Sequence, residues 1–341
     1  MTAELTPGKK RGLDAVSDSR GVIAALAIDQ RGAMRELFSK PLGQEPASVP
    51  GEMLVEYKKA VSRILTPYAS AILLDPEFGL PASRERAKNA GLLLAYEITG
   101  YDKNVRGRLP RLLDHWSVQR LVHEGADSIK LLLYYSAVSE PEINDIKYAF
   151  VERLGAECAA ADVPFFLELV SYVDGMDTKS PEFARKKPEL VSKGMSEFSK
   201  PQYRIDILKV GMPVDLASVE GAPSRASEIV YSRKQAQEYF LQAAYQSTLP
   251  FIYLSEGVSN ETFQFGLELA AESGAKFSGV LCGRATWKDG VAVRVEKGPE
   301  ALDEWLRTVG TQHIQNVNGL LQAATPWHAV RASAKANAGA K

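Results

Sequence analysis

Two lysines within short apolar segments are the residues of this 341-residue chain best suited to chemistry. Lys209 lies in the apolar run 207–212 and Lys130 in the run 128–135, and both runs are typical of buried strands. Because a lone buried ammonium is costly, such a lysine tends to lose its proton, and the neutral amine attacks carbonyl groups. The two lysines therefore indicate Schiff-base chemistry on a carbonyl substrate. The alternative for Lys209 is a structural ion pair with Asp206 or another carboxylate.

Two acidic residues could carry protons for these lysines. Glu168 lies in the apolar run 164–169, and an apolar setting raises the pKa of a carboxyl group toward the range useful in general acid–base catalysis. Its alternative is a structural ion pair with a buried lysine. Asp29 ends the run 22–29 and could pair with either lysine or protonate a carbinolamine hydroxyl. Its alternative is an N-cap for the helical segment that follows it.

Eight short apolar runs recur along the chain, separated by segments of helical length. Continuous apolar runs, rather than alternating patterns, indicate strands that are covered on both faces. The strand candidates are residues 22–29, 71–75, 91–97, 128–135, 164–169, 207–212, 251–255 and 277–283. Helical patterns occupy residues 52–65, 115–124, 141–161, 232–247, 259–273 and 300–323. Strands that alternate with helices predict an α/β protein with a parallel sheet, and eight of them favour a single (β/α)8 TIM barrel.

The domain organisation follows from these elements. We expect one barrel over residues 21–325, preceded by an N-terminal extension at 1–20. The tail at 326–341 is rich in Ala and Lys with little to pack, and is predicted to be disordered. The charged segment 174–203 follows the fifth strand and is either a substrate loop or a partly helical surface excursion.

Polar residues at the carboxyl ends of the strands form a candidate site, because barrel active sites are built there. The ends of strands seven and eight combine a hydroxyl, two glycine backbones and a guanidinium, which suits a phosphate, although ordinary turn glycines and a surface arginine are the alternative. These residues are Ser255, Gly257, Gly283 and Arg284. Gln30 and Arg31 follow the first strand as further substrate-binding candidates, Arg31 for a second anionic group.

Composition excludes several classes of function. The net charge of −1 shows no basic bias toward nucleic acid. The two cysteines, Cys158 and Cys282, imply no disulfide framework, and neither a signal peptide nor a membrane-spanning run is recognisable. No histidine falls at a predicted strand end, so we predict no metal site and no cofactor. These features indicate a cytoplasmic protein that acts on neither nucleic acid nor membranes.

Several long segments resemble one family, the class I tagatose 1,6-bisphosphate aldolases, over about residues 21–321. The segments are residues 27–32, 66–70, 73–79, 91–97, 129–135, 164–168, 208–210 and 277–287. The resemblance implies a (β/α)8 barrel and catalysis without a metal. It also implies that Lys209 is the Schiff-base lysine, that Glu168 transfers protons, and that Asp29 and Lys130 support them.

The resemblance further implies reversible cleavage of a phosphorylated ketohexose into dihydroxyacetone phosphate and glyceraldehyde 3-phosphate, with relaxed discrimination at C4. Alternatives are an aldolase for 6-deoxy-6-sulfofructose 1-phosphate and a barrel that senses sugar phosphates without turnover. A retaining glycosidase would need two carboxylates, such as Glu168 and Glu97, about 5 Å apart. The sequence leaves the oligomeric state open, a homo-oligomer included.

Overall fold

The computed structural model describes residues 5–98, 100–102 and 105–339, and its centre is a closed barrel of eight parallel strands joined in chain order. The predicted (β/α)8 TIM barrel is confirmed. The strands are β1 (Ile23–Ala27), β2 (Ala71–Leu74), β3 (Gly91–Ala95), β4 (Ser128–Tyr135), β5 (Phe165–Ser171), β6 (Ile207–Val210), β7 (Phe251–Leu254) and β8 (Gly279–Cys282). All of the strand pairs are parallel, including β1 with β8, which closes the barrel.

Helices surround the barrel, and each predicted helical segment contains at least one of them. The first seven are α1 (Pro7–Ala15), α2 (Gly32–Leu42), α3 (Gly51–Leu65), α4 (Leu80–Ser83), α5 (Val118–His123), α6 (Pro141–Ala160) and α7 (Pro181–Phe198). The others are α8 (Arg233–Tyr245), α9 (Asn260–Ser273), α10 (Arg284–Trp287), α11 (Gly290–Lys297), α12 (Pro299–Trp305), α13 (Thr311–Leu320) and α14 (Trp327–Gly339). A π-helical turn, Leu306–Gly310, joins α12 to α13. Within the described ranges, no helix combines the length and apolar character needed to cross a bilayer.

The segment 174–203 is mostly helix α7, the helix that connects β5 to β6. The side chain of Ser180 caps its first turn by accepting a hydrogen bond from the Phe183 backbone N–H. Phe183, Met195 and Phe198 are buried on the face toward the barrel. Charged residues and the internal Pro188 obscure this amphipathic pattern in the sequence. The helical part of the second alternative is confirmed, although α7 covers the barrel wall and is not a surface excursion. The substrate-loop alternative stays a prediction.

An apolar layer of side chains fills the barrel interior. It contains Ile23, Ala25, Ala27, Ala71, Leu73, Leu93, Ala95, Phe166, Ile207, Ile252 and Leu281. Side chains on one face of a strand recur every two residues. On β5 and β6, the inward positions after Phe166 and Ile207 are therefore Glu168 and Lys209. Two buried charged groups thus lie next to the apolar layer, on its carboxyl-end side.

Both ends of the chain close the amino end of the barrel. Leu13, Val16 and Trp327 belong to the same apolar cluster as the barrel interior. The Ser70 hydroxyl donates a 2.7 Å hydrogen bond to the Val16 carbonyl, and the Trp327 backbone N–H donates one of 2.9 Å to the Gly21 carbonyl. Residues 327–339 form α14, which begins with a buried aromatic anchor, whereas residues 340 and 341 lie outside the described part of the chain. The disorder expected for the tail at 326–341 stays a prediction.

Asp206 forms ion pairs at the closed amino end of the barrel and has no contact with Lys209 among the described residues. Its Oδ2 accepts hydrogen bonds from Lys9 Nζ at 2.7 Å and from the Phe165 backbone N–H at 2.9 Å. Arg331 Nη1 lies 3.7 Å from its Oδ1. Asp206 precedes β6, and Lys209 projects further along the strand. Lys209 is therefore not paired with Asp206, which leaves another carboxylate as its partner in that alternative.

Trp327→Ala should lower the free energy of unfolding by about 3–5 kcal/mol, because it removes a buried indole from the closed end of the barrel. Trp327 is 4% exposed. Urea denaturation followed by circular dichroism measures the loss. Tyr245→Ala is the matched control: Tyr245 is 78% exposed, and its replacement should change stability by no more than about 0.5 kcal/mol. Equal effects of the two substitutions would show that α14 does not close the barrel.

Candidate active site

Lys209 is buried on β6 and paired with a carboxylate. The strand register sets Glu168 of β5 beside Lys209, and Lys209 Nζ lies 2.8 Å from Glu168 Oε2. Lys209 is 2% exposed and Glu168 is 6% exposed. Lys209 is thus not the lone buried ammonium that the apolar run suggested, and the alternative of an ion pair with a carboxylate other than Asp206 is confirmed. A carboxylate able to accept its proton lies in direct contact with it.

Lys130 on β4 is the centre of the charge cluster. Its Nζ lies 2.8 Å from Asp29 Oδ2, 2.6 Å from Glu97 Oε1 and 2.7 Å from Glu168 Oε2. Burial disfavours the ammonium, but Asp29, Glu168 and Glu97 outweigh it and hold the pKa of Lys130 well above its ordinary value. Lys130 is therefore a fixed positive charge beside the amine of Lys209.

Glu168 contacts both ammonium groups with one oxygen. The distances from Oε2 to the two nitrogens are 2.7 and 2.8 Å, but neither contact has hydrogen-bond angles, so both are ion pairs by distance. Burial alone would raise the pKa of Glu168, but the charges of Lys130 and Lys209 overcome it and lower that pKa. The raised pKa expected from the apolar run is wrong, because the two cations belong to neighbouring strands. Glu168 is ionised and can act first as a base.

Asp29 follows β1 and is a further carboxylate partner of Lys130. Its Oδ2 accepts a hydrogen bond from Lys130, and its Oδ1 accepts one of 3.0 Å from the Gln30 amide. Burial opposes its ionisation, but Lys130 and Lys209 outweigh it and hold the pKa of Asp29 below its ordinary value. The pairing with a lysine is confirmed. The N-cap alternative is wrong, since Arg31 is the N-cap residue of α2 and its cap has no side-chain hydrogen bond.

Glu97 belongs to the charge cluster, whereas the sequence indicated it only for the glycosidase alternative. Its Oε1 pairs with Lys130, and its Oε2 accepts a 3.0 Å hydrogen bond from the Leu132 backbone N–H. Its place after β3 was the only signal in the sequence. Glu97 and Glu168 both bind the same ammonium, so these carboxylates do not flank an open space for a glycosidic bond. The glycosidase alternative has no support in this geometry.

The four residues expected to hold a phosphate come together beyond β7 and β8. The Gly283 backbone N–H donates to Ser255 Oγ at 3.4 Å, which joins the two loops. Gly257 has a φ of +80°, and a Cβ atom there would lie 2.6 Å from Arg284 Cζ. Glycine is therefore required for the guanidinium to lie so close to this backbone. The arrangement combines backbone N–H groups, a hydroxyl and an arginine with no carboxylate partner among the described residues.

Arg31 differs from Arg284 because its guanidinium is already bonded at both ends. Its Nη1 lies 2.6 Å from Glu77 Oε2, and its Nη2 donates to the Glu97 carbonyl at 2.7 Å. Arg31 is 4% exposed. These bonds hold the backbone of Glu97, and through it the cluster. The expected role of Arg31 for a second anionic group stays a prediction, and its geometry favours a positioning role.

Several of these residues line one cavity of about 710 Å³ at the carboxyl end of the barrel. Lys130 and Lys209 are not among its lining residues, but both contact Glu168, which lines it. Its lining includes Asp29, Gln30, Glu97, Glu168, Gly257 and Arg284. A cavity of this size accommodates a small phosphorylated molecule. An ionised base on its floor, in contact with an amine and a fixed cation, and a candidate anion site on its wall suit imine formation with a phosphorylated carbonyl compound.

Asp29→Asn should lower the free energy of unfolding at pH 7 by about 1.5–3 kcal/mol, because it removes one acceptor from a buried ammonium. The contribution of Asp29 is fully present above the unfolded aspartate pKa of about 3.9 and is lost as pH falls through the lower folded pKa. The difference in free energy of unfolding between Asp29→Asn and the unsubstituted protein should therefore become smaller below about pH 4. Urea denaturation at several pH values measures it.

The matched control is Asp14→Asn, because Asp14 forms an exposed ion pair with Lys10. This substitution should cost less than about 1 kcal/mol at every pH tested. If Asp29→Asn gave a difference that stayed constant down to pH 3, the lowered pKa of Asp29 would be contradicted.

Comparison with known proteins agrees with this site. The model of the DeoC/LacD family aldolases matches residues 23–289. Tagatose 1,6-diphosphate aldolase 2 of Enterococcus faecalis is 53% identical over 328 residues, which cover 95% of this chain and 97% of the relative. Tagatose 1,6-diphosphate aldolase of Staphylococcus aureus is 48% identical over 321 residues, with coverages of 94% and 97%.

Among solved structures, a Schiff base-forming fructose-1,6-bisphosphate aldolase aligns with a TM-score of 0.53 at 13% identity, covering 91% of this chain and 98% of that one. At that identity the likeness concerns the fold alone. The family resemblance noted in the sequence is confirmed by the close relatives and the family match together. The chain belongs to the DeoC/LacD family of aldolases.

Proposed function

We propose that this protein is a class I aldolase that reversibly cleaves tagatose 1,6-bisphosphate into dihydroxyacetone phosphate and glyceraldehyde 3-phosphate. The observation that carries the proposal is the 2.8 Å contact between Lys209 Nζ and Glu168 Oε2 in the buried cluster at the base of the cavity. The substrate is proposed from relatives about half identical in sequence, which are named for tagatose 1,6-diphosphate.

Substrate binding begins at the C1 phosphate. Ser255, Gly257, Gly283 and Arg284 hold this phosphate against the wall formed by the β7 and β8 loops. Lys209 belongs to the neighbouring strand β6, so the C2 carbonyl can lie over its amine. Binding energy from a phosphate that does not react thus orients the carbon that does.

Imine formation requires a neutral amine. Lys209 passes a proton to Glu168, and the amine attacks C2 to give a carbinolamine. Glu168 then returns the proton to the carbinolamine hydroxyl, which leaves as water, and an iminium forms. Asp29, expected from the sequence as the proton donor, has a lowered pKa and is a poor acid. We assign it instead to holding Lys130.

Cleavage follows from the iminium. Ionised Glu168 removes the proton of the C4 hydroxyl, the C3–C4 bond breaks, and its electron pair passes to the iminium nitrogen. Glyceraldehyde 3-phosphate leaves, and an enamine stays on Lys209. Glu168 returns its proton to C3, and water hydrolyses the resulting iminium to dihydroxyacetone phosphate. The Lys130 charge stabilises the carboxylate each time it is ionised.

Borohydride reduction with dihydroxyacetone phosphate tests the imine. The unsubstituted protein should gain one stable adduct at Lys209, measured by peptide mass spectrometry, and Lys209→Met should gain none. Glu168→Gln should lower kcat about 10²–10⁴-fold because it removes the proton carrier. Lys193→Met, at an exposed lysine paired with Glu189, is the control and should retain both adduct and activity. Turnover by Lys209→Met at the unsubstituted rate would refute the mechanism.

Gly257→Ala should raise KM for the bisphosphate at least about tenfold, because the new Cβ would displace the Arg284 guanidinium. Steady-state kinetics measure the change. Gly274→Ala is the matched control, since Gly274 also has a positive φ, +77°, but nothing lies within 4 Å of its added Cβ. It should carry the same backbone strain and leave KM unchanged. Similar KM values for both variants would remove Gly257 from the phosphate site.

A further inference from the structure

A second arginine without a carboxylate partner among the described residues lines the cavity. Arg108 lies in the loop between β3 and α5 and faces the same space as Arg284. Its guanidinium carbon lies 4.3 Å from the ring centroid of Tyr172, 4.6 Å from that of Tyr101 and 5.4 Å from that of Tyr134. Three tyrosine rings therefore hold the cation by cation–π contacts, which leave its N–H groups free to donate.

Other cations of the cavity wall are neutralised or loosely held. Arg31 is paired with Glu77, and Lys187 Nζ lies 2.8 Å from Glu256 Oε2. Arg111 and Lys179 also line the cavity, but both are exposed, and neither stacks on an aromatic ring in the described part of the chain. Arg108 thus combines an available charge with a fixed position.

The backbone at Arg108 is held in a conformation that is unfavourable for arginine. Gly107 has a φ of +90° and Arg108 one of +49°, in the left-handed region that non-glycine residues rarely occupy. The Tyr172 hydroxyl donates to the Gly107 carbonyl at 2.8 Å and accepts from Lys147 Nζ, which is fully buried, at 2.9 Å. A glycine would adopt this left-handed backbone conformation with less conformational strain than an arginine. Retaining an arginine there indicates that its side chain is used.

The strand order places the two unpaired arginines on different sides of the cavity. Arg284 follows β8, whereas Arg108 packs on Tyr134 of β4 and on Tyr172, which directly follows β5. In a closed ring of eight strands, β4 is diametrically opposite β8. The charge cluster of Lys209 and Glu168 lies on the floor between these walls. A linear substrate with an anion at each end could contact both arginines.

We propose that Arg108, held by Tyr101, Tyr134 and Tyr172, binds the tetrahedral oxyanion at the C6 end of the substrate. This inference rests on the proposed function, in which Arg284 takes the C1 phosphate. The chemistry recognised is that of a phosphate monoester or a sulfonate, both of which accept paired hydrogen bonds from a guanidinium. Arg108 is thereby a specificity-determining residue for doubly anionic ketoses.

The test compares tagatose 1,6-bisphosphate with tagatose 1-phosphate, which lacks the C6 anion. Arg108→Met should lower kcat/KM for the bisphosphate at least about tenfold and leave kcat/KM for the monophosphate within about twofold. Arg108→Lys keeps the charge but loses the planar stacking on the tyrosines. Its kcat/KM for the bisphosphate should therefore lie between those of Arg108→Met and the unsubstituted protein. Arg106→Met is the matched control: Arg106 lies on the same loop in an exposed pair with Glu140, and its replacement should change neither value.

Two outcomes would overturn the inference. One is an equal loss on both substrates with Arg108→Met, which would indicate a structural role for the arginine. The other is an unchanged kcat/KM for the bisphosphate. A parallel measurement with 6-deoxy-6-sulfofructose 1-phosphate identifies which anion the arginine serves, since the loss should be larger for the better-bound group.

Borohydride trapping separates this inference from the proposed function. Dihydroxyacetone phosphate has no C6 anion, so Arg108→Met should form the Lys209 adduct as readily as the unsubstituted protein, which also shows that the variant is folded. Absence of the adduct in the unsubstituted protein would count against the aldolase mechanism. Loss of the adduct in Arg108→Met alone would count against the C6 assignment.

Discussion

The contact of one Glu168 oxygen with two buried ammonium groups is the interaction on which the site depends. Two cations and three carboxylates share a space from which water is largely excluded, and breaking one pair leaves an uncompensated buried charge. The partners come from β4, β5 and β6 and from the residues that follow β1 and β3. The charges can therefore be neutralised only when the barrel is closed in the correct register. The charge cluster thus forms only in the correctly folded barrel, and its ion pairs in turn stabilise that fold.

Much of the fold could be predicted because buried parallel strands have a simple sequence pattern. Each of the apolar runs contains a strand, and Lys209 and Glu168 could be selected because a charge within such a run is unusual. Helix α7 was harder to recognise, since Pro188 and many charged residues mask its buried face. The tail is difficult to judge for a related reason: one buried tryptophan anchors the start of a segment whose composition is otherwise typical of disorder.

The electrostatics of the site could not be predicted from local sequence. The neighbours of Glu168 in the chain are apolar and suggest a raised pKa, whereas its neighbours in space are two ammonium groups that lower it. Glu97 was named only as a carboxylate for a glycosidase, because its role in the cluster depends on Lys130 of the next strand. Arg108 escaped notice altogether, since an arginine in a loop resembles a surface residue until the tyrosines around it are located. In each of these cases, the role of the residue depends on neighbours that are close in space but distant in the sequence.

An apolar layer that includes Phe166 and Ile207 lies beneath the charges, and the cavity lies on the carboxyl-end side of them. Buried apolar side chains are a poor path for water and protons, so exchange with solvent is expected to use the opening at the carboxyl end. In the proposed mechanism, the aldehyde fragment occupies the route by which hydrolytic water arrives. The architecture then requires the aldehyde to leave before the ketone phosphate is released. Until the aldehyde has left, it keeps water away from the enamine, because the apolar floor offers water no second route.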